Sequence, residues 1–505
     1  MRTLLVLIAA ALAGALTLFG FAPYRLYGLL PLSLAALAQL VQYKPQRAFW
    51  TGYVWGLAAY TSNFNWIYHS LHDIAGLPAL LAAPLVLLLP AYLAIYPGLA
   101  CYLTIRIDQR LWVRWLLAFP ALWELGEWLR SWVMTGFPWG AVGYSQVTES
   151  PLAGFIPVGG VHLVSWLVAL SAGALTLLAS GQRSQRFTAA IGIILLWSAG
   201  FWLQSISWTQ PVGKPIRVAL AQGDIPQALK WDPATFEETL KIYYQQVAST
   251  QADVMILPET ALPVFLEDLP SGYLTMMAGD AQRKDMALAT GIVRHTADGR
   301  GYLNAVVTLT DPQLPYYAKD HLVPFGEFIP LPGLIGWIYQ YMNMPLSGFS
   351  RGGANQQPLL LGGHKLAFNI CYEDSFGEEL IGPAAQAGML ANVSNLAWFG
   401  KSVAMSQHLQ LSQTRALETG RFMLRATNTG MTAIIRPDGE IASVAAPFTQ
   451  QVLQGMAQDY QGLTPYMRVG NLPVVIGCFS LVLLAIGLGA WHRNSQAKRA
   501  PTTSA

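Results

Sequence analysis

Apolar runs long enough to cross a bilayer recur near residues 3–19, 27–42, 48–63, 76–104, 111–129, 158–180, 188–206 and 472–491. A hydrocarbon core takes about 20 residues of helix, and inside it only helices or closed barrels satisfy every backbone polar group. The runs predict a polytopic α-helical membrane protein with about eight transmembrane helices. Composition agrees: 53% of residues are hydrophobic and 11% charged, where soluble domains carry about a quarter charged residues. The net charge of +3, from dispersed Lys and Arg, offers no basic patch for nucleic acid.

The fourth run carries Pro84, Pro90 and Pro97, which fit one kinked helix or a re-entrant pair. Counting it as one span, alternate loops collect the basic residues: Lys44 and Arg47, then Arg106, Arg110 and Arg114, then Arg183 and Arg186, then Arg493, Lys498 and Arg499. These are the expected cytoplasmic loops. Opposite loops hold only Arg25 and Arg130, so the long segment before the last span is expected outside the cytoplasm. The expected organisation is a seven-helix membrane region (1–211), an extracytoplasmic domain (212–468), a final helix (469–493) and a disordered cytoplasmic tail (494–505). The first run also fits a signal peptide, with Arg2 and small residues from Ala9 to Ala15. Retention as a helix is the preferred reading in a chain with so many further spans.

The extracytoplasmic segment changes pattern. Strand-like runs appear at Ile216–Leu220, Val254–Leu257, Met286–Ile292, Ala305–Thr310, Leu366–Ile370 and Met389–Val393. Helix-like spacing covers Phe236–Thr250 and Ala404–Ala426. Continuous apolar strands separated by helices predict an α/β layered domain whose central strands are buried on both faces.

Three chemically equipped positions follow apolar strands, where open α/β sheets gather ligands. They are Glu259 after Val254–Leu257, Lys319 ahead of His321-Leu322-Val323-Pro324-Phe325-Gly326-Glu327, and Cys371 after Leu366–Ile370. A carboxylate in a dry pocket can take a thiol proton, and an ammonium can stabilise the oxyanion that forms when sulfur attacks an ester. The Tyr372 amide suits the same anion. Each residue alone has a commoner role: cap, surface charge or small buried hydrophobe. Cys101 and Cys478 fall inside spans, so Cys371 has no disulfide partner, which favours a nucleophile. His321 and His408 leave a thiol–histidine pair as a lesser alternative. No ligand spacing predicts a metal, and no Walker loop, dinucleotide fingerprint or serine elbow predicts a cofactor.

Glu259, Lys319 and Cys371, in this order and context, resemble the Glu-Lys-Cys triad of the nitrilase or carbon–nitrogen hydrolase superfamily, which implies an αββα sandwich. Joined to the membrane layout, the chain resembles the apolipoprotein N-acyltransferase family. The matching segments are Gly20-Phe21-Ala22-Pro23-Tyr24, Gly136-Phe137-Pro138-Trp139, Gly143-Tyr144-Ser145-Gln146, Gln222-Gly223-Asp224-Ile225-Pro226, the His321–Glu327 run, Ala397-Trp398-Phe399-Gly400-Lys401 and Thr427-Asn428-Thr429-Gly430. Leu396 departs from the pattern, standing where the family carries a polar residue.

The resemblance implies a bacterial inner-membrane enzyme with its catalytic domain facing the periplasm and no cofactor. Cys371 would take an acyl chain from a phospholipid, phosphatidylethanolamine being the expected donor, as a thioester. The α-amine of the diacylglyceryl-cysteine of an apolipoprotein would receive it, with Glu259 shuttling protons. Glu327 and Glu373 become supporting carboxylates, Trp231 and Tyr372 substrate neighbours, and Asn369 a support for the nucleophile. The apolar stretch Pro330–Phe349, with Leu334, Ile335, Trp337, Ile338, Tyr339 and Tyr341, reads as a membrane-dipping arm or as a helix packed on the domain. The rivals are a membrane-tethered amidase or nitrilase releasing free acid, and a transporter or receptor that would need intramembrane polar groups. Glu124, Glu127 and Arg130 are the noticeable cluster of that kind.

Overall fold

Each of the eight apolar runs is helical in the computed structural model, which describes residues 1–330, 333 and 348–499. Five helices, Arg2–Gly20, Ala79–Ile107, Pro151–Ser180, Arg183–Leu203 and Leu472–Gln496, are long and apolar enough to cross a membrane. Leu29–Tyr43 is apolar but shorter; Ala48–Phe64 occupies the third run, and a π-helical segment, Val113–Ala118, continues into the α-helix Phe119–Arg130 in the fifth. The proline-bearing fourth run is one helical stretch of 29 residues. The last helix continues to Arg499, so 494–499 is ordered helix rather than the start of a disordered tail. Of the expected arm, Pro330–Phe349, residues 331, 332 and 334–347 lie outside the described residues.

Met1–Asn65, Pro84–Ile206 and, among the described residues, 469–499 form one compact unit. Its helices pack through small residues, as membrane helices do when backbones must approach closely. At Gly173, inside Ile156–Ser180, an added Cβ would lie 1.8 Å from the Trp115 carbonyl oxygen. The Glu124, Glu127 and Arg130 cluster is buried and paired. Glu124 meets His162 Nδ1 at 2.6 Å, and Arg130 reaches Glu127 at 3.5 Å. Arg130 also donates to the carbonyls of Phe137 (2.5 Å) and Trp139 (3.1 Å), while Glu127 accepts from the Val142 amide at 3.2 Å. These contacts tie the 136–143 turn to its own helix, a structural use of the charges the transporter reading needed for transport.

Trp66–Ala83 and Ser207–Arg468 form the second unit. Its first sheet runs β13–β1–β2–β4–β5–β6, with β3 beside β4. These strands are β1 Gln210–Gln222, β2 Val254–Ile256, β3 Leu262–Phe265, β4 Ala287–His295, β5 Tyr302–Thr308, β6 Tyr316–Ala318 and β13 Gln451–Gln461. The second sheet runs β12–β11–β10–β9–β8–β7, made of β7 Leu359–Leu361, β8 His364–Ile370, β9 Met389–Ser394, β10 Phe422–Thr427, β11 Ala433–Ile435 and β12 Ile441–Val444. The central strands β1, β2 and β4 pair in parallel, as do β8, β9 and β10.

Alternation along each strand builds the layers. Val218, Leu220 and Ile256 of one sheet meet Leu366, Phe368, Ile370, Val393 and Leu424 of the other in a single buried core. The opposite face of the first sheet packs on helices Pro233–Ser249 and Tyr273–Gln282 through Met255, Leu288, Tyr243 and Met277. The opposite face of the second packs on Gly377–Gln386 and Ala404–Thr419 through Ala367, Leu390, Met423, Ala384 and Leu409. The result is the expected αββα sandwich.

One expected element is corrected. The helix-like spacing of Ala404–Ala426 covers two elements, a helix ending at Thr419 and strand β10. Gly420 ends the helix in the left-handed region (φ +61), and a Cβ there would also sit 2.5 Å from Thr209 Oγ1.

Candidate active site

Three strand ends of the second unit deliver the triad residues to one place. Glu259 follows β2, Lys319 follows β6 directly, and Cys371 follows β8 as the first residue of a tight turn, Cys371–Ser375. Lys319 Nζ lies 3.9 Å from Glu259 Oε1 and 2.8 Å from Glu327 Oε2. Asn304 Nδ2, from β5, donates to Glu259 at 2.7 Å and to Glu327 at 3.2 Å. The Asn395 amide donates to Glu259 Oε2 at 2.8 Å and also reaches the Cys371 thiol. Glu259, Lys319 and Glu327 are buried, whereas Cys371 is only partly so.

Burial pulls the Lys319 ammonium down, but the Glu327 and Glu259 carboxylates outweigh it and hold the group above its ordinary range. Burial, reinforced by Glu259, pushes the Cys371 thiol up to about 12 despite the pull of Lys319. The resting sulfur therefore carries its proton, and attack requires a base to remove it as the new bond forms. Cys371 adopts φ +55, a left-handed conformation that costs a non-glycine residue about 1–3 kcal/mol and persists only where its surroundings over-determine it.

The supporting residues divide. Glu327 joins the triad cluster through Lys319 and Asn304, and its Oε2 also accepts from the Val323 amide at 2.8 Å, fixing the 321–327 loop. Glu373 points elsewhere. It accepts from the Asp320 and His321 amides (2.7 and 3.0 Å), the Ile370 amide (2.7 Å) and the Tyr317 hydroxyl (2.9 Å). One carboxylate thus staples the Cys371 turn to the Lys319 loop, while burial pushes it up to about 7. Tyr372 is buried with its ring edge-on to Phe376 and beside His321. Asn369 lies under the turn, on the helix-facing side of β8, bonded to Asn392 and Asp374. Trp231 is half-buried in the turn ahead of Pro233–Ser249. Leu396 is fully buried, so the departure from the family pattern falls in the packed interior.

Four contributors were not among the sequence candidates. Lys230, buried beside Trp231, donates to the Glu259 carbonyl (3.1 Å) and Thr260 Oγ1 (2.5 Å), and burial lowers it to about 8. Asn304 and Asn395 hold Glu259, and Arg425 lies beneath the Cys371 turn. Asn304 and Arg425 share a readable signal, an amide or guanidinium side chain set between apolar neighbours in a buried strand. Of the two histidines in the thiol–histidine alternative, His408 meets the carbonyl oxygen of Cys371 through Nε2 at 3.1 Å, and His321 meets Glu379 Oε1 through Nδ1 at 2.8 Å. Among the described residues no cluster of His, Cys, Asp and Glu could hold a metal.

Comparison with known proteins adds independent support. A sequence profile for the apolipoprotein N-acyltransferase N-terminal domain matches residues 13–174, and one for carbon–nitrogen hydrolase matches 217–463. A Chromobacterium violaceum protein named apolipoprotein N-acyltransferase is 73% identical over 98% of this chain and 96% of its own length. Proteins of the same name from Neisseria meningitidis serogroup A and Nitrosomonas europaea are 48% and 45% identical, each over 96% of this chain and over 95% and 97% of their own lengths.

Proposed function

The chain belongs to the apolipoprotein N-acyltransferase family and is an acyltransferase, and from that footing we propose that it transfers an acyl chain from a phospholipid to the N-terminal α-amine of diacylated apolipoproteins through a Cys371 thioester. The observation that carries this reading is the meeting of Glu259, Lys319 and Cys371 around a single sulfur.

In the first half-reaction Glu259 takes the thiol proton as Sγ bonds to the acyl carbonyl carbon. The carbonyl π pair moves to oxygen, which Lys319 and the Tyr372 amide stabilise. Collapse expels the lysophospholipid alkoxide, which recovers the proton from Glu259. In the second half-reaction the acceptor amine, with a reference pKa of about 8, attacks the thioester. Glu259 removes the proton it releases, the C–S bond breaks as the N-acyl bond is completed, and the departing thiolate takes that proton back from Glu259. Phosphatidylethanolamine is the proposed donor.

The helices of the eight apolar runs are proposed as membrane spans, with 1–65, 84–206 and 469–493 as the membrane sector and 207–468 together with 66–83 as the catalytic domain. The loop charge bias supports an inner-membrane location with the catalytic domain in the periplasm. The test is mass spectrometry of the purified full-length protein after incubation with phospholipid. An acyl adduct on Cys371, transferable to a diacylated lipopeptide amine, is expected; turnover by Cys371→Ala would overturn the scheme, and release of free acid with no amine acceptor would point to a hydrolase.

A further inference from the structure

The outer face of the second sheet is apolar at Ala367, Leu390 and Met423. Two residues further along β8, β9 and β10 stand Asn369, Asn392 and Arg425, in register across the three parallel strands and fully buried. A guanidinium sealed in such a layer needs partners. Arg425 NH1 donates to Asn392 Oδ1 (2.8 Å) and Ser412 Oγ (2.9 Å) and lies 3.5 Å from Asp374 Oδ2, which also accepts from Ser412.

Arg425 NH2 lies 3.0 Å from His408 Nδ1. A guanidinium can only donate, so Nδ1 is the acceptor and the imidazole proton sits on Nε2. That Nε2–H faces the Cys371 carbonyl oxygen at 3.1 Å and Asp374 Oδ2 at 4.0 Å. Asn392 Nδ2 approaches the same carbonyl at 3.5 Å. In a planar trans peptide the C=O and the following N–H point in opposite directions. Fixing the Cys371 oxygen on His408 therefore turns the Tyr372 N–H to the other side of the turn, away from the helix Ala404–Thr419.

We propose that His408, locked in one tautomer by Arg425, is a positioning residue that aims the Tyr372 amide at the oxyanion formed when Cys371 attacks an acyl carbonyl. The inference rests on the thioester reading. Its chemistry is confined to the step in which the Sγ–C bond forms, the thiol proton passes to Glu259 and the carbonyl π pair becomes the oxyanion. The amide stabilises that charge and gives up no proton.

The test compares two reactions of Cys371 in the full-length protein in detergent micelles. Acylation by a p-nitrophenyl ester passes through an oxyanion; alkylation by iodoacetamide does not. His408→Leu is expected to slow acylation about 10–100-fold, somewhat less than outright loss of an oxyanion donor. Alkylation, which reports the thiolate alone, should stay within about twofold. His408→Gln, whose amide can donate to the carbonyl and accept from Arg425, should restore most of the acylation rate. His408→Asn, too short to do both, should not, and this pair decides the matter if His408→Leu fails to fold. Acylation at the wild-type rate in His408→Leu, parallel loss of both reactions, or Gln no better than Asn would overturn the proposal. Failure of the wild-type protein to form an ester adduct on Cys371 would instead overturn the thioester reading itself.

Discussion

A cysteine that rests as a buried thiol behaves differently from an exposed one. With Cys371 pushed up to about 12, chiefly by burial, its iodoacetamide reactivity should climb about tenfold per pH unit from 7 to 10, without the levelling near 8.5 of an unperturbed thiol. A plateau near 8.5 would show that the pocket does not shift the sulfur. Lys319→Gln should reduce acyl-enzyme formation about 10²–10³-fold by removing an oxyanion partner, measured as adduct per folded protein. Glu373→Gln is not a mild change. Its NH2 would face backbone donors where an oxygen now accepts, and each buried donor left unpaired costs about 1–3 kcal/mol. A lower thermal midpoint of the catalytic unit, read by tryptophan fluorescence, is the expected outcome. The sequence made Glu259, Lys319 and Cys371 legible because each reactive type directly follows an apolar run. It hid Glu373's partners, since four donors converging from Tyr317, Asp320, His321 and Ile370 are a property of folding across two sheets.

Elements with one dominant periodicity were readable, and mixed ones were not. The parallel central strands are continuous apolar runs because helices or the partner sheet cover both faces. The outer strands β6, β7, β11 and β12 are only 3–4 residues each, too short for a pattern. β10 was absorbed into the preceding helix because Phe422, Met423 and Leu424 continue its apolar spacing, and Gly420 was the available stop signal. That misreading also concealed Arg425. Gly420→Val should lower catalytic-unit stability by about 1 kcal/mol or more from backbone strain alone, with the Thr209 contact adding to it; an unchanged thermal midpoint would contradict the capping role. In the membrane unit Gly173→Leu would drive a side chain into the Trp115 carbonyl. Loss of folded protein in detergent, seen as aggregation in size-exclusion chromatography, is expected.

At the scale of the molecule, loop charge gave the expected orientation, and thiol labelling in intact cells tests it. In a Cys371→Ala background, where Cys101 and Cys478 are buried, a membrane-impermeant maleimide should label exposed Arg300→Cys and leave exposed Gln46→Cys untouched. The reverse pattern would invert the topology. One feature of the second unit was invisible to linear reading: Trp66–Ala83, which leads from the third apolar run into the start of the fourth, belongs to it. Trp66 stacks edge-on with Phe399 and donates to Gln407, and Ser70 donates to the Trp398 carbonyl. Those contacts brace the loop whose Asn395 amide holds Glu259. The hydrolase-like body is therefore stitched from two separated pieces of chain, and it cannot be lifted out as a cassette. Secreted alone, 207–468 would arrive with that loop unbuttressed, and only the 66–83 segment supplied in trans would complete it.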